Sequence, residues 1–289
     1  MVTLLRAVVV GINEYMDKRY RDQARLQFAR TDAEAMASIL NTSPVLRLEQ
    51  MYLHRDLQAT RKSVQESLNE VFSNSFPGQN TIALFYFAGH GLYNRKDERI
   101  SLCCYDADFN DPNTGGIRLN DIYELLTQCS AEYAIAIIDS CYSGGIIDTS
   151  YFYHVSPAEH AKRAIEALRG KSDKTIAIFA ACRENQKTRE SKTSKHGLYT
   201  HALLQGWRDG QARGGDGSVT LFGLADYVTR FFANDRQIPR VSILGSKPLL
   251  LWQGEPPPPA VVVSSPPRSE SYDGIIFKPG TGRIPRKNK

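Results

Sequence analysis

The sequence predicts a three-layer α/β fold with a mostly parallel central sheet flanked by helices. Strand-like and helix-like segments alternate along most of the chain. The strand-like segments are continuous apolar runs, so both of their faces need covering, as in parallel sheets. This regular alternation stops at residue 254, where "GEPPPPAVVVSSPPRSES" begins.

The first strand is "LLRAVVVGI" (4–12), followed by a helix "TDAEAMASIL" (31–40) that Thr31 or Asp32 could cap. "QMYLH" (50–54) reads as a strand. "TRKSVQESLNEVF" (60–72) has a Thr cap and apolar residues Val64, Leu68, Val71 and Phe72 at helical spacing. "TIALFYFAG" (81–89) is a third buried strand, and "RISLCCY" (99–105) an edge or hairpin strand. The helix 118–129, the strand 133–139, a helix 156–170 and the strand 175–182 continue the alternation. Helices at 197–210 and 219–232 and a closing strand at 246–252 complete it. Eight of the fourteen prolines lie beyond 254, so 254–289 is expected to be a flexible tail.

Composition excludes several classes. The chain carries +5 formally, but the tail has six basic against three acidic residues, leaving only +2 on the preceding domain. That is no footprint for nucleic acid. No apolar run reaches the ~18–20 residues that span a bilayer. The opening "MVTLLRAVVVGINEY" carries Arg6 inside a short apolar run and fits a first strand better than a signal peptide. Five cysteines without a CxxC pair suggest reduced thiols, and a cytoplasmic protein is expected.

Two strands end on unusual chemistry. "TIALFYFAGHG" finishes on His90 between Gly89 and Gly91, and "AIAIIDSCYSGG" on Asp139, Ser140 and Cys141 before Gly144 and Gly145. Loops at the carboxyl ends of parallel strands line functional crevices. If the two strands are neighbours, with helix 118–129 as the crossover, a thiol and an imidazole face one another. A thiolate is a nucleophile, and an imidazole can take the thiol proton and return it to a leaving amine. Glycines beside the nucleophile let backbone N–H groups form an oxyanion hole. Either motif alone is more often a buried thiol or a turn.

"FYFAGHG", followed fifty-one residues later from His90 to Cys141 by "IIDSCYSGG", resembles the caspase-like cysteine peptidases of clan CD. The likeness is strongest to the prokaryotic metacaspase and orthocaspase branch of peptidase family C14. It extends through "RAVVVGINEY", "LQFARTDAEAM", "YDADFND" and "AACRENQKTRES…HGLYTHALL", covering about residues 1–252.

The resemblance implies a caspase–haemoglobinase-like fold over 1–253. A large-subunit part would cover about 1–150, an intersubunit linker about 146–174, and a small-subunit part about 175–253. It implies an endopeptidase with Cys141 as nucleophile and His90 as general acid/base, working through a thioester acyl-enzyme. The backbone N–H groups of Gly91 and Cys141 would form the oxyanion hole. Asp32 and Asp139 would line a pocket for a basic substrate residue, Arg before Lys. A plain helix cap at Asp32 and a satisfied strand-end carboxylate at Asp139 are the alternatives.

Arg163, Arg169, Lys171 and Lys174 are candidate autocleavage points. Asp121 and Asp148 fall near calcium-binding positions of relatives, but Asn120 and Arg99 stand where acids would be aligned. Two donors fall short of the six to eight oxygens calcium takes, so no cofactor is expected to be required. The expected partners are protein or peptide substrates with a basic residue at the cleavage point, with a regulatory protein reached through the tail, and neither nucleic acid nor membrane. The family also implies a role in proteolytic, stress or defence signalling. The alternative of a different class is a catalytically silent scaffold. No G-x-S-x-G, Walker A or G-x-G-x-x-G motif follows a strand, which argues against a serine hydrolase or nucleotide-binding protein.

Overall fold

A computed structural model describes residues 3–73, 80–94, 99–111, 113–141, 143, 174–183, 186–254 and 276–277. The chain begins with strand β1 (Thr3–Gly11), whose Val-rich run suits a doubly buried strand. Helix α1 (Lys18–Ala24) follows, with the Asp17 carboxylate accepting from the Arg19 N–H at its start. Helix α2 (Ala29–Thr42) begins two residues before the expected start, after Phe28. Asp32 therefore sits inside the first turn, where its N–H donates to the Phe28 carbonyl. The cap alternative for Asp32 is overturned, and its carboxylate is free to point elsewhere.

Strand β2 (Leu46–Arg55) and helix α3 (Arg61–Ser73) lead to β3 (Thr81–Ala88). A three-stranded antiparallel sheet, β4 (Gly91–Asn94), β5 (Arg99–Cys103) and β6 (Gly116–Arg118), precedes α4 (Leu119–Gln128) and β7 (Tyr133–Asp139). Then come β8 (Thr175–Ala180), the hairpin β9 (Glu190–Ser191) and β10 (His196–Gly197), and α5 (Leu198–Trp207). Strand β11 (Ser218–Thr220), helix α6 (Leu221–Phe231), β12 (Arg240–Leu244) and β13 (Leu250–Gln253) follow, and the short β14 (Ile276–Phe277) lies in the tail.

The main sheet has the order β12-β8-β7-β3-β1-β2-β14. Pairs β8–β7, β7–β3, β3–β1 and β1–β2 are parallel, whereas β12 and β14 run antiparallel at the two edges. Successive β1 residues alternate between two cores. Leu5, Ala7 and Val9 pack with α2, α5 and α6, while Val8, Val10 and Ile12 pack with α3 and α4. β3 divides the same way, Leu84 and Tyr86 against Phe85 and Phe87. These are the three layers that the apolar runs imply.

The expected closing strand at 246–252 is present as the shorter β13, which pairs with β11 in a separate two-stranded sheet, and β12 is one edge of the main sheet. "RVSIL" is partly buried, with Val241 and Ile243 packed on one core and Leu244 on the other. Helix α1 carries no apolar stripe in "KRYRDQA". Among the described residues no helix is long and apolar enough to cross a membrane. The expected helix 156–170 and the linker up to residue 173 lie outside the described residues, as does the tail apart from β14.

Gly11 ends β1 where α2 crosses it. A Cβ there would lie 2.4 Å from the Ala29 carbonyl oxygen and 2.5 Å from the Ala33 Cβ, neither of which can swing away. Gly11→Ala is expected to destabilise the protein by about 1–3 kcal/mol through overpacking, seen as a Tm lowered by several degrees. An unchanged melting curve would refute this close packing.

Candidate active site

The site forms where β3 and β7 end side by side. Their register places Ala88 opposite Asp139, and the Gly89 N–H donates to the Asp139 carbonyl at 3.2 Å. The crossover between them contains α4, as the sequence implies. His90 and Cys141 thus leave the same end of adjacent parallel strands.

His90 is buried at 8% exposure. The Tyr20 ring stacks on its imidazole with centroids 5.2 Å apart, and the Tyr15 ring lies tilted against it at the same separation. The His90 N–H donates to the Tyr15 hydroxyl at 2.8 Å. Burial holds the imidazole down to about 4, so it is neutral at pH 7. Its Nε2 is buried and has no hydrogen-bond partner among the described residues.

Cys141 is partly exposed, in contrast to the other four cysteines, which are buried. Its Sγ meets the Thr188 Oγ1 at 3.8 Å. Gly91 packs tightly on the nucleophile loop, and a Cβ there would lie 2.3 Å from the Cys141 carbonyl oxygen. The Cys103 N–H donates to the His90 carbonyl, which makes Gly91 and Leu102 a non-hydrogen-bonded pair. The Gly91 N–H therefore points away from β5.

Cys182, just beyond β8, buttresses the loop from below. Its N–H donates to Ser143 Oγ at 3.3 Å, and its thiol donates to the Ser140 carbonyl at 3.4 Å. Gln237 donates to the Ala181 carbonyl and accepts from the Arg189 N–H, which ties the loop carrying Thr188 to the end of β8. Nothing local in the sequence marks these contacts.

Asp32 and Asp139 meet across Gly197. A Cβ on Gly197 would lie 2.5 Å from Asp139 Oδ2 and 3.0 Å from Asp32 Oδ2. The Asp139 Oδ2 accepts from the Thr200 N–H at 3.1 Å and its hydroxyl at 2.7 Å. The Asp32 Oδ2 accepts from the Gly197 N–H at 2.9 Å, and Oδ1 lies 2.6 Å from His196 Nδ1. Burial and the neighbouring Asp32 charge push Asp139 up to about 7. Burial likewise raises Asp32 well above the carboxylate range. Both carboxylates line a small cavity of ≈20 Å³, shared with Leu26, Thr188 and Glu190. His196 is a site residue that the sequence alone did not disclose.

Other expected residues are placed differently. Lys174, named as a cleavage point, is buried, and its ammonium donates to the Thr127 and Cys129 carbonyls at the end of α4. That side chain is committed to the fold and is not presented for cleavage in this state. Arg163, Arg169 and Lys171 lie outside the described residues, as do Gly144, Gly145 and Asp148. Asp121 is paired with Arg118 at 3.1 Å, and among the described residues no three His, Cys, Asp or Glu side chains gather to hold a metal.

Comparison with known proteins identifies the family. The caspase domain family matches residues 5–247. Metacaspase-2 of Trypanosoma brucei brucei is 26% identical over 209 residues, which cover 66% of this chain and 57% of that protein. Metacaspase-1 of Plasmodium falciparum is 24% identical over 210 residues, covering 66% of this chain and 32% of that protein. The chain thus spans little more than half the length of these relatives at most. Among solved structures, protein GSU0716 from Geobacter sulfurreducens has a TM-score of 0.57 at 21% identity, covering 84% of this chain and 94% of that one. Caspase-1 from Spodoptera frugiperda has a TM-score of 0.56 at 12% identity, covering 86% and 90%. These two share the fold. With the family matched over most of its length, the chain belongs to the caspase domain family, peptidase C14, and the curated relatives it is similar to are metacaspases.

Proposed function

We propose that this protein is a cysteine endopeptidase that cleaves after Arg, and after Lys less efficiently. The observation that carries the reading is the shared strand end of His90 and Cys141, with two buried carboxylates beside them. The neutral His90 imidazole takes the Cys141 thiol proton, and the thiolate attacks the scissile carbonyl carbon. The oxyanion is received by the N–H groups of Gly91 and Cys141. When the C–N bond breaks, His90 returns the proton to the leaving amine, and a thioester remains. Water then gives a proton to His90 and its oxygen to the acyl carbon, releasing the acid and the thiol. The Cys141 Sγ contact to Thr188, and not to His90 Nε2, fits a free enzyme whose catalytic hydrogen bond forms on substrate binding.

The Cys141 Sγ contact to Thr188 and the unpartnered His90 Nε2 also fit a second reading, a catalytically silent scaffold. A fluorogenic Arg-peptide assay separates the two. Wild type is expected to hydrolyse the peptide, Cys141→Ala to be inactive, and His90→Ala to lose about 10²–10⁴-fold in kcat. An inert wild type across pH and calcium concentrations would leave the scaffold.

Asp139 supplies the charge for the substrate guanidinium while Asn at this position could still accept from Thr200. A carboxyl raised from 3.8 to about 7 by folding costs stability as pH climbs through that window, because the native state holds the proton longer than the unfolded chain. Asp139→Asn is therefore expected to raise Tm by several degrees at pH 8, with the gain vanishing toward pH 4, while Arg-peptide cleavage falls at least tenfold. A lower Tm at pH 8, or undiminished cleavage, would refute the role.

Five free thiols fit the reducing cytoplasm proposed for the chain, and the tail is proposed as the contact for a regulatory protein. The linker 146–173 is proposed as a self-cleavage region, at Arg163, Arg169 or Lys171. Incubated wild type should yield two fragments on a denaturing gel that Cys141→Ala does not. One intact band from active enzyme would exclude it.

A further inference from the structure

The Asp32–His196 contact joins residues 164 positions apart, and Asp32 and the neighbouring Gly197 both line the small cavity. His196 belongs to β10, immediately before Gly197, whose N–H binds the other oxygen of the same carboxylate. The two donors therefore hold both Asp32 oxygens. We propose that His196 is a positioning residue of the substrate pocket: its ring donates Nδ1–H to Asp32 Oδ1, aims that buried carboxyl at a guanidinium and eases its ionisation when one binds. The inference rests on the Arg-cleaving reading above.

A carboxylate in this pocket needs donors, because burial and neighbouring negative charge both favour its neutral acid. The charged and titratable groups around the pair are Asp139 on β7, Glu190 on β9, His201 on α5 and Arg208 just beyond it. Glu190 accepts from the Gln27 and Phe28 N–H groups, fixing it beside α2. Arg208 lies beside the Asp209 carboxylate. A permanent cation at position 196 would support Asp32 but cancel the pocket charge that attracts substrate. A neutral imidazole donor supports it without that loss. Burial, aided by Arg208, depresses His196 below its usual range, which keeps the ring neutral at pH 7.

The test measures kcat and KM separately for an Arg peptide between pH 5.5 and 8.5. His196→Ala is expected to raise KM about tenfold at pH 7, with little change in kcat. The acid limb of 1/KM should move upward by about one pH unit, because Asp32 then ionises later. His196→Asn, whose side-chain amide can donate from nearly the same place, should restore most of the loss. Agmatine binding to the Cys141→Ala protein, followed by calorimetry, should show the same order without any turnover. A fold-independent readout uses the ¹⁵N imidazole spectrum of unmutated protein: a neutral ring protonated at Nδ1 at pH 7 is expected.

An imidazolium or an Nε2–H tautomer at pH 7 would overturn the proposal, as would pH profiles of His196→Ala identical to wild type. If wild type neither cleaves Arg peptides nor binds agmatine, the Arg-cleaving reading itself fails, and this inference with it. Cleavage and agmatine binding by wild type with no dependence on His196 would remove this inference alone.

Discussion

The site depends on one constraint, the register of β3 against β7. A parallel pairing that sets Ala88 opposite Asp139 makes both strands stop at the same level. The single hydrogen bond from Gly89 N–H to the Asp139 carbonyl carries that pairing one residue past the strand. Every functional group that follows inherits its place from there. His90 turns into the Tyr15–Tyr20 stack, Cys141 opens onto the cleft, and Gly91 meets the Cys141 carbonyl at a distance no side chain tolerates. A slip of one residue would exchange the two faces of β7 and send Asp139 to the opposite core. Apolar residues fill both faces of both strands, so burial itself locks the register.

The carboxylate pair is where the fold works against its own stability. Two acids share a cavity too small for bulk water to solvate them, with only short-range donors in support. Asp139 has the Thr200 N–H and hydroxyl, and the Tyr86 hydroxyl meets Thr200 in turn at 2.6 Å. Asp32 has Gly197 and His196. A structural role does not call for two acids in contact with the same glycine, since amides would satisfy the same donors without the charge. Two acids kept together at a cost in stability are the pattern of a functional site more than of a structural one.

The sequence disclosed the parts of this site that lie on buried strands and missed those that long-range contact creates. His90, Asp139 and Cys141 stand out because a polar residue ending an apolar run is itself unusual. Asp32 was visible through family likeness, although the helix cap at the same position was a fair local reading until α2 proved to start earlier. Helix α1 bears a single buried ring, Tyr20, which packs in the core and stacks on His90, so no apolar periodicity marks the helix in the sequence. His196 lies 164 residues from Asp32 and resembles any surface histidine in a turn. Cys182 looked like one more buried thiol, while its contacts to Ser140 and Ser143 make it a support for the nucleophile loop.

The cavity walls differ in how firmly they are held. The wall from β7 and α2 belongs to the central sheet and its core, whereas the wall from residues 188–197 is fastened by individual polar contacts. Glu190 grips the Gln27 and Phe28 N–H groups, Gln237 grips the Arg189 N–H, and Arg189 pairs with Asp235. Repacking a core costs more than exchanging a few polar contacts, so of the two walls the 188–197 segment is the easier to displace. That segment also carries Thr188 against the Cys141 Sγ and His196 against Asp32. The His196 contact to Asp32 and the Thr188 contact to the Cys141 thiol thus ride on one segment held by polar contacts, so the carboxyl pair and the thiol are linked through it.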